Sequence, residues 1–125
     1  MNRNKVAWLY CRVAHEDKTA LETQEKRLTG FAEESGYTVA GVSKDTGSGL
    51  TMDRPGWKEV EQAVTAQGIG AVLAINSGRI ARNTVELLAC AERLHQQGVR
   101  LITETDGNIG ELRVAMYMRL AREES

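Results

Sequence analysis

The sequence has no excess of basic charge: 16 Lys and Arg stand against 17 Asp and Glu, giving a formal net charge of -1. A domain that binds nucleic acid through its overall field is strongly cationic, so any phosphate contact here has to come from a local cluster. Cysteine is scarce. The two present, Cys11 and Cys90, fall in apolar stretches without C-x-x-C spacing, which argues against a disulfide scaffold or a zinc site and suits a reducing cytoplasm. The apolar run at residues 6–11 is interrupted by Arg12, too short for a membrane span, and no signal-peptide cleavage pattern accompanies it. The chain therefore reads as soluble, cytoplasmic and without a membrane partner. Internal repeats and low-complexity tracts are missing too. So is the glycine fingerprint of a nucleotide-binding domain or the acidic phosphoacceptor cluster of a response regulator, since His15, Glu16 and Asp17 supply acids but no such pattern.

What remains is enough for one compact core: 125 residues, 42% of them hydrophobic, point to a single domain over 1–125. Residues 5–10 (KVAWLY) form a short β-rich apolar run that predicts a buried strand. Over residues 19–35, Leu21, Leu28, Phe31 and Ala32 recur at helical spacing among charged positions, and Gly36 is placed to stop the turn. Residues 37–43 predict a second strand, and DTGSGLTMDR a loop after it. The one proline, Pro55, suits the first turn of a short helix whose face is marked by Trp57, Val60 and Val64. A third strand at 70–75, a helix at 83–97, a fourth strand at 99–104 and a helix at 109–125 complete the reading. Alternating strands and helices predict a three-layer α/β fold. Its sheet is mostly parallel, four-stranded with room for a fifth strand, and covered by helices on both faces. The last helix has apolar residues on two sides, Leu112, Met116 and Leu120 on one and Val114, Tyr117, Met118 and Ala121 on another. Either both sides cover the chain's own sheet, or one covers it and the other asks for a partner, placed at residues 109–121.

Ligands of doubly wound sheets sit at the carboxyl ends of strands, and Arg12, Asp45 and Arg79 fall there. Arg79 and Arg82, three apart at the start of a helix, can project from one face beside the positive end of its dipole. Scattered arginines are commonly solvated surface charges. Three at strand ends read instead as an anion cage, for which the planar guanidinium fork is suited.

At these positions the sequence resembles the catalytic domain of serine site-specific recombinases of the resolvase/invertase family. YCRVAHED is similar to the family's Y-x-R-V-S stretch, SKDTGSGLTMDRPGW to its D-x-x-S-G followed by R-x-G, and SGRIARN to its D-R-L-x-R-N/S segment, while the L-x-x-Q of the first helix recurs as Leu21 to Gln24. The resemblance implies a metal-free and cofactor-free reaction. A serine hydroxyl attacks the scissile phosphodiester, a 5′-phosphoserine link forms, and strands are exchanged before religation. Arginines stabilise the phosphorane-like transition state. It also implies that Arg12, Arg79 and Arg82 contact phosphate, that Arg54 and Asp45 belong to the active-site loop with Arg54 also near phosphate, and that Gln24 supports the site from the first helix.

Two positions depart from the pattern. Ala14 stands where the family has its nucleophilic serine, and Gly78 where it has the acid before the first arginine of its D-R pair. A methyl group has neither a lone pair nor a leaving group, so covalent catalysis cannot start at Ala14. Loss of both groups points to a degenerate site rather than a single nucleophile knockout. Substitutes are poor: His15 is adjacent and points elsewhere, Ser48 and Ser77 lie in turns, and Cys11 packs as a small hydrophobe. The family's separate carboxyl-terminal DNA-binding domain would lie beyond Ser125. Two readings follow: a cleavage-defective recombinase-type domain acting with DNA and another subunit, or a non-enzymatic dimerisation or regulatory module acting on a recombinase.

Overall fold

The computed structural model of the chain describes residues 5–47 and 54–110. The central strand, β1 (Val6–Val13), is buried along nearly its whole length. Its alternation feeds two cores, one on each face of the sheet. Ala7, Leu9 and Cys11 pack with Leu28 and Ala32 of α1 (Lys18–Glu34). Trp8 and Tyr10 point the other way, toward Trp57 and Val60 of α2 (Pro55–Ala66) and Leu94 of α4 (Thr84–Gln96). Leu28 is fully buried, and withdrawing such a side chain from water contributes about 1.5–3 kcal/mol.

Local chemistry sets the ends of these helices. Asp17 caps α1 by accepting from Ala20 N at 2.9 Å, Pro55 opens α2, and Asn83 caps α4 by accepting from Val85 N and Glu86 N. The remaining elements are β2 (Thr38–Thr46), β3 (Ala71–Ala74), a single helical turn α3 (Ser77–Ile80), β4 (Arg100–Thr103) and β5 (Gly107–Asn108). The strands lie in the order β2-β1-β3-β4-β5, with β2, β1, β3 and β4 parallel and β5 antiparallel to β4.

Side chains lock β1, β2 and α2 together. Trp8 Nε1 donates to Ser43 Oγ at 2.8 Å, and Ser43 Oγ donates to Glu59 Oε1 at 2.6 Å. The Trp8 ring lies so close to the β2 backbone that a Cβ at Gly41 would sit 2.3 Å from it. Tyr10 meets Trp57 edge to face, 5.0 Å between centroids.

Several boundaries differ from the sequence reading. The first strand runs three residues past Tyr10, so Arg12 lies within β1 rather than after it. The second strand reaches Thr46 and takes Asp45 out of the loop. The turn α3 was not expected, and the fifth strand is a two-residue pairing that follows the turn at 104–106 and opens on Gly107, whose φ of +76° a side chain would strain. Most of the expected helix at 109–125, and with it the partner surface at 109–121, lies outside the described residues, as do Ser48 and residues 49–53 of the loop.

Candidate functional site

The sheet reverses its winding at β1, with β2 on one side and β3 on the other, which opens a crevice at their carboxyl ends. An open cavity of about 290 Å³ lies there, lined by Arg12, Ala14, Asn76, Gly78, Arg79 and Arg82. The three arginines expected to form a cage thus share one pocket, and Ala14 shares it with them. Their environments differ: Arg12 is buried, Arg79 half-buried and Arg82 exposed. The route to convergence is also different from a shared helix face. Arg79 belongs to α3, but Ala81 is extended (φ -155°, ψ 139°), so Arg82 sits in the break before α4.

Arg12 is tied to the walls of the pocket. Its Nε donates to Arg79 O at 3.2 Å, its Nη2 to Gly78 O at 2.7 Å and its Nη1 to Gly47 O. Arg79 answers by donating Nη1 to Arg12 O at 3.1 Å. Gln24 grips the same backbone, giving Nε2 to Arg12 O at 2.9 Å and accepting from Arg12 N at 3.2 Å. Burial, and then repulsion from Arg54, lowers the Arg12 pKa from its ordinary value.

Asp45 and Arg54 stand behind the pocket rather than in its lining. Asp45 is buried and fully engaged: Oδ1 accepts from Gly56 N at 2.8 Å, while Oδ2 accepts from Trp57 N at 3.0 Å and from Tyr10 Oη at 2.7 Å. It anchors the first turn of α2 to β2, in place of the loop role expected for it. Gly56 permits this approach, since a Cβ there would stand 2.6 Å from Lys44 O and 2.7 Å from Asp45 Oδ2. Burial first, and the hydrogen bond to Asp45 second, push the Tyr10 phenol above its usual range. Arg54, also buried, lies 5.5 Å over the Tyr10 ring and donates Nη2 to Ile80 O, so it fastens the end of α3.

Sequence reasoning missed α3 itself and the groups that hold its start. Asn76 Oδ1 accepts from Arg79 N at 3.1 Å, and Asp106 Oδ2 accepts from Ser77 N at 3.2 Å. A four-residue segment leaves no periodicity to find, and Asp106 lies far along the chain. The other nucleophile candidates are poorly equipped. Burial pushes the Cys11 thiol up to about 11, and His15 is exposed beside Ala14. Among the described residues no group of His, Cys, Asp or Glu could hold a metal ion, and no helix is long and apolar enough to cross a membrane.

The mixed five-stranded sheet with its flanking helices is the architecture of a known class. The chain belongs to the resolvase family: the family model described as "Resolvase, N terminal domain" matches residues 7–125. Among solved structures, the N-terminal catalytic domain of TP901-1 integrase superposes with a TM-score of 0.83 at 21% identity, covering 96% of each chain. A resolvase family site-specific recombinase from Streptococcus pneumoniae gives 0.76 at 24% identity, over 95% of this chain and 87% of that one. The C-terminal catalytic domain of ISC1926 TnpA, an IS607-like serine recombinase, gives 0.74 at 28% identity, over 90% and 77%. This is the fold of serine recombinase catalytic domains.

Proposed function

We propose that this domain binds the DNA phosphate backbone at the crevice beyond β1 and β3 without forming a covalent link to it. The observation that carries the reading is that Ala14 lines the same pocket as Arg12, Arg79 and Arg82. A phosphodiester seated among those arginines has its charge balanced, and the side chain from position 14 offers only a methyl group. Arg79 and Arg82 provide the contacts, Arg12 adds positive charge from the pocket wall, and Arg54, Asp45 and Gln24 keep the walls in place. The structural relatives, the catalytic domain of an integrase and a site-specific recombinase, support DNA as the anion. A recombinase-type subunit is the second partner, met through residues 109–121, where the sequence places apolar side chains on two sides of a helix.

The test is fluorescence anisotropy with a labelled 30-base-pair duplex at several salt concentrations. Binding that weakens with salt, and whose salt slope falls by about 1 on Arg82→Ala, supports the site. Binding indifferent to both Arg79→Ala and Arg82→Ala overturns it. Persistent self-association with no DNA affinity favours the regulatory-module reading instead.

A further inference from the structure

The four-residue α3 cannot hold itself, because one helical turn fixes several backbone angles for very few hydrogen bonds. Its only i to i-4 closure at the C-cap is Ala81 N donating to Ser77 O at 3.0 Å. Its carbonyl end is restrained by Arg12, through Gly78 O and Arg79 O, and by Arg54, through Ile80 O. At its start, Asn76 bonds Arg79 N, and the adjoining backbone hangs from the β4–β5 turn. Glu104 N donates to Ala74 O at 3.1 Å, and Thr105 gives both N and Oγ1 to Ile75 O at 3.2 Å. The last support in this series is Asp106, whose Oδ2 takes Ser77 N while its own N–H is fixed on the buried Thr103 Oγ1 at 2.9 Å.

We propose that Asp106 is a positioning residue for the arginine pocket: its carboxylate oxygen fixes the start of α3 and so aims Arg79 at the bound anion. The proposal rests on the pocket being the phosphate site. Asp106 touches no residue of the pocket lining with a charged group; it acts through the backbone of Ser77, one residue before Gly78 and two before Arg79. Electrostatics makes the idea sharply testable. An acid near an anion site weakens anion binding by simple repulsion, so its removal should tighten binding. A positioning role gives the opposite sign.

The experiment uses the full chain, labelled with nitrogen-15, as Asp106→Ala and Asp106→Asn beside the unmodified protein. Asp106 is exposed, so neither change disturbs the core. Without ligand, Asp106→Ala should raise amide exchange at Ala81 at least tenfold and shift the Arg79 Nε resonance, while Asp106→Asn, which keeps an acceptor oxygen, should stay close to the parent. In titrations with inorganic phosphate, Asp106→Ala should bind at least threefold more weakly, and Asp106→Asn as tightly as the parent or tighter. Unchanged Ala81 exchange in Asp106→Ala, or phosphate binding as tight as the parent's, overturns the proposal. If phosphate moves no arginine resonance in the unmodified protein, the phosphate site itself fails, and the ligand-free exchange alone decides the role of Asp106.

Discussion

The side chain of Gln24 takes both backbone groups of Arg12, donating to its carbonyl at 2.9 Å and accepting from its N–H at 3.2 Å. Both residues are buried, so the amide does for β1 at this point what a neighbouring strand does elsewhere in the sheet. Gln24→Leu should orphan the Arg12 N–H and cost about 1–3 kcal/mol, read as a lower urea midpoint at unchanged slope. The carbonyl keeps a partner in Arg79, which limits the loss. A midpoint equal to that of the parent would show that water replaces the amide.

Gly56→Ala and Gly68→Ala should move stability in opposite directions. A methyl at 56 meets Lys44 O and Asp45 Oδ2, backbone and a fully bonded carboxylate that cannot retreat, and overpacking of this kind costs about 1–3 kcal/mol. A methyl at 68 meets nothing within 4 Å and gains about 0.4–1 kcal/mol by restricting the unfolded chain. Thermal unfolding of the pair checks both signs.

Stability should fall at alkaline pH through Tyr10. Its folded pKa is raised, so its contribution is complete below the unfolded value of about 10 and is lost as pH climbs above it, where the unfolded chain releases a proton that the folded chain retains. Ultraviolet titration of tyrosinate should show one of the three tyrosines ionising late, and Tyr10→Phe should remove that component and flatten the alkaline decline. A titration in which all three ionise together would contradict the buried Tyr10–Asp45 bond.

The unmodified domain, fused to a heterologous DNA-binding domain to supply proximity, should give no covalent band with nicked labelled DNA on a denaturing gel. Ala14→Ser alone should restore little, and Ala14→Ser with Gly78→Asp more, since an acid at 78 adds a group that can assist proton transfer or steady the neighbouring arginine. A protease-sensitive adduct from the unmodified domain would reveal a nucleophile other than residue 14.

Sedimentation should show self-association at high micromolar concentration that Met116→Asp with Leu120→Asp abolishes. A strictly monomeric parent would remove residues 109–121 as the contact.

Much of the scaffold was legible because it rests on local signals. The apolar run of β1, the spacing of Leu28 and Ala32, and Pro55 at a helix start each report their own surroundings. The reach of β2 was not, since Lys44, Asp45 and Thr46 break the apolar alternation, and Asp45 is buried only because Tyr10 and the start of α2 come to meet it. Arg12, Arg79 and Arg82 could be grouped from expected strand ends and from the i, i+3 spacing of the last two, but not the means of grouping. That depends on α3, which is hydrogen-bonded to Arg12, Arg54 and Asp106 from three distant parts of the chain.

The length of β3 decides whether this molecule has a crevice at all. The last residue of β1 paired with it is Leu9, opposite Leu73, yet β1 continues for four more residues to Val13. At about 3.3 Å per residue, roughly 13 Å of strand edge is left unzipped on that side. Had the chain stayed extended beyond Ala74 it would have closed against Tyr10 through Val13, rung by rung, and erased the opening. The crevice is thus an interruption in the ladder, and substitutions that favour extended backbone at Asn76 to Gly78 are the ones to fear, even if every arginine remains.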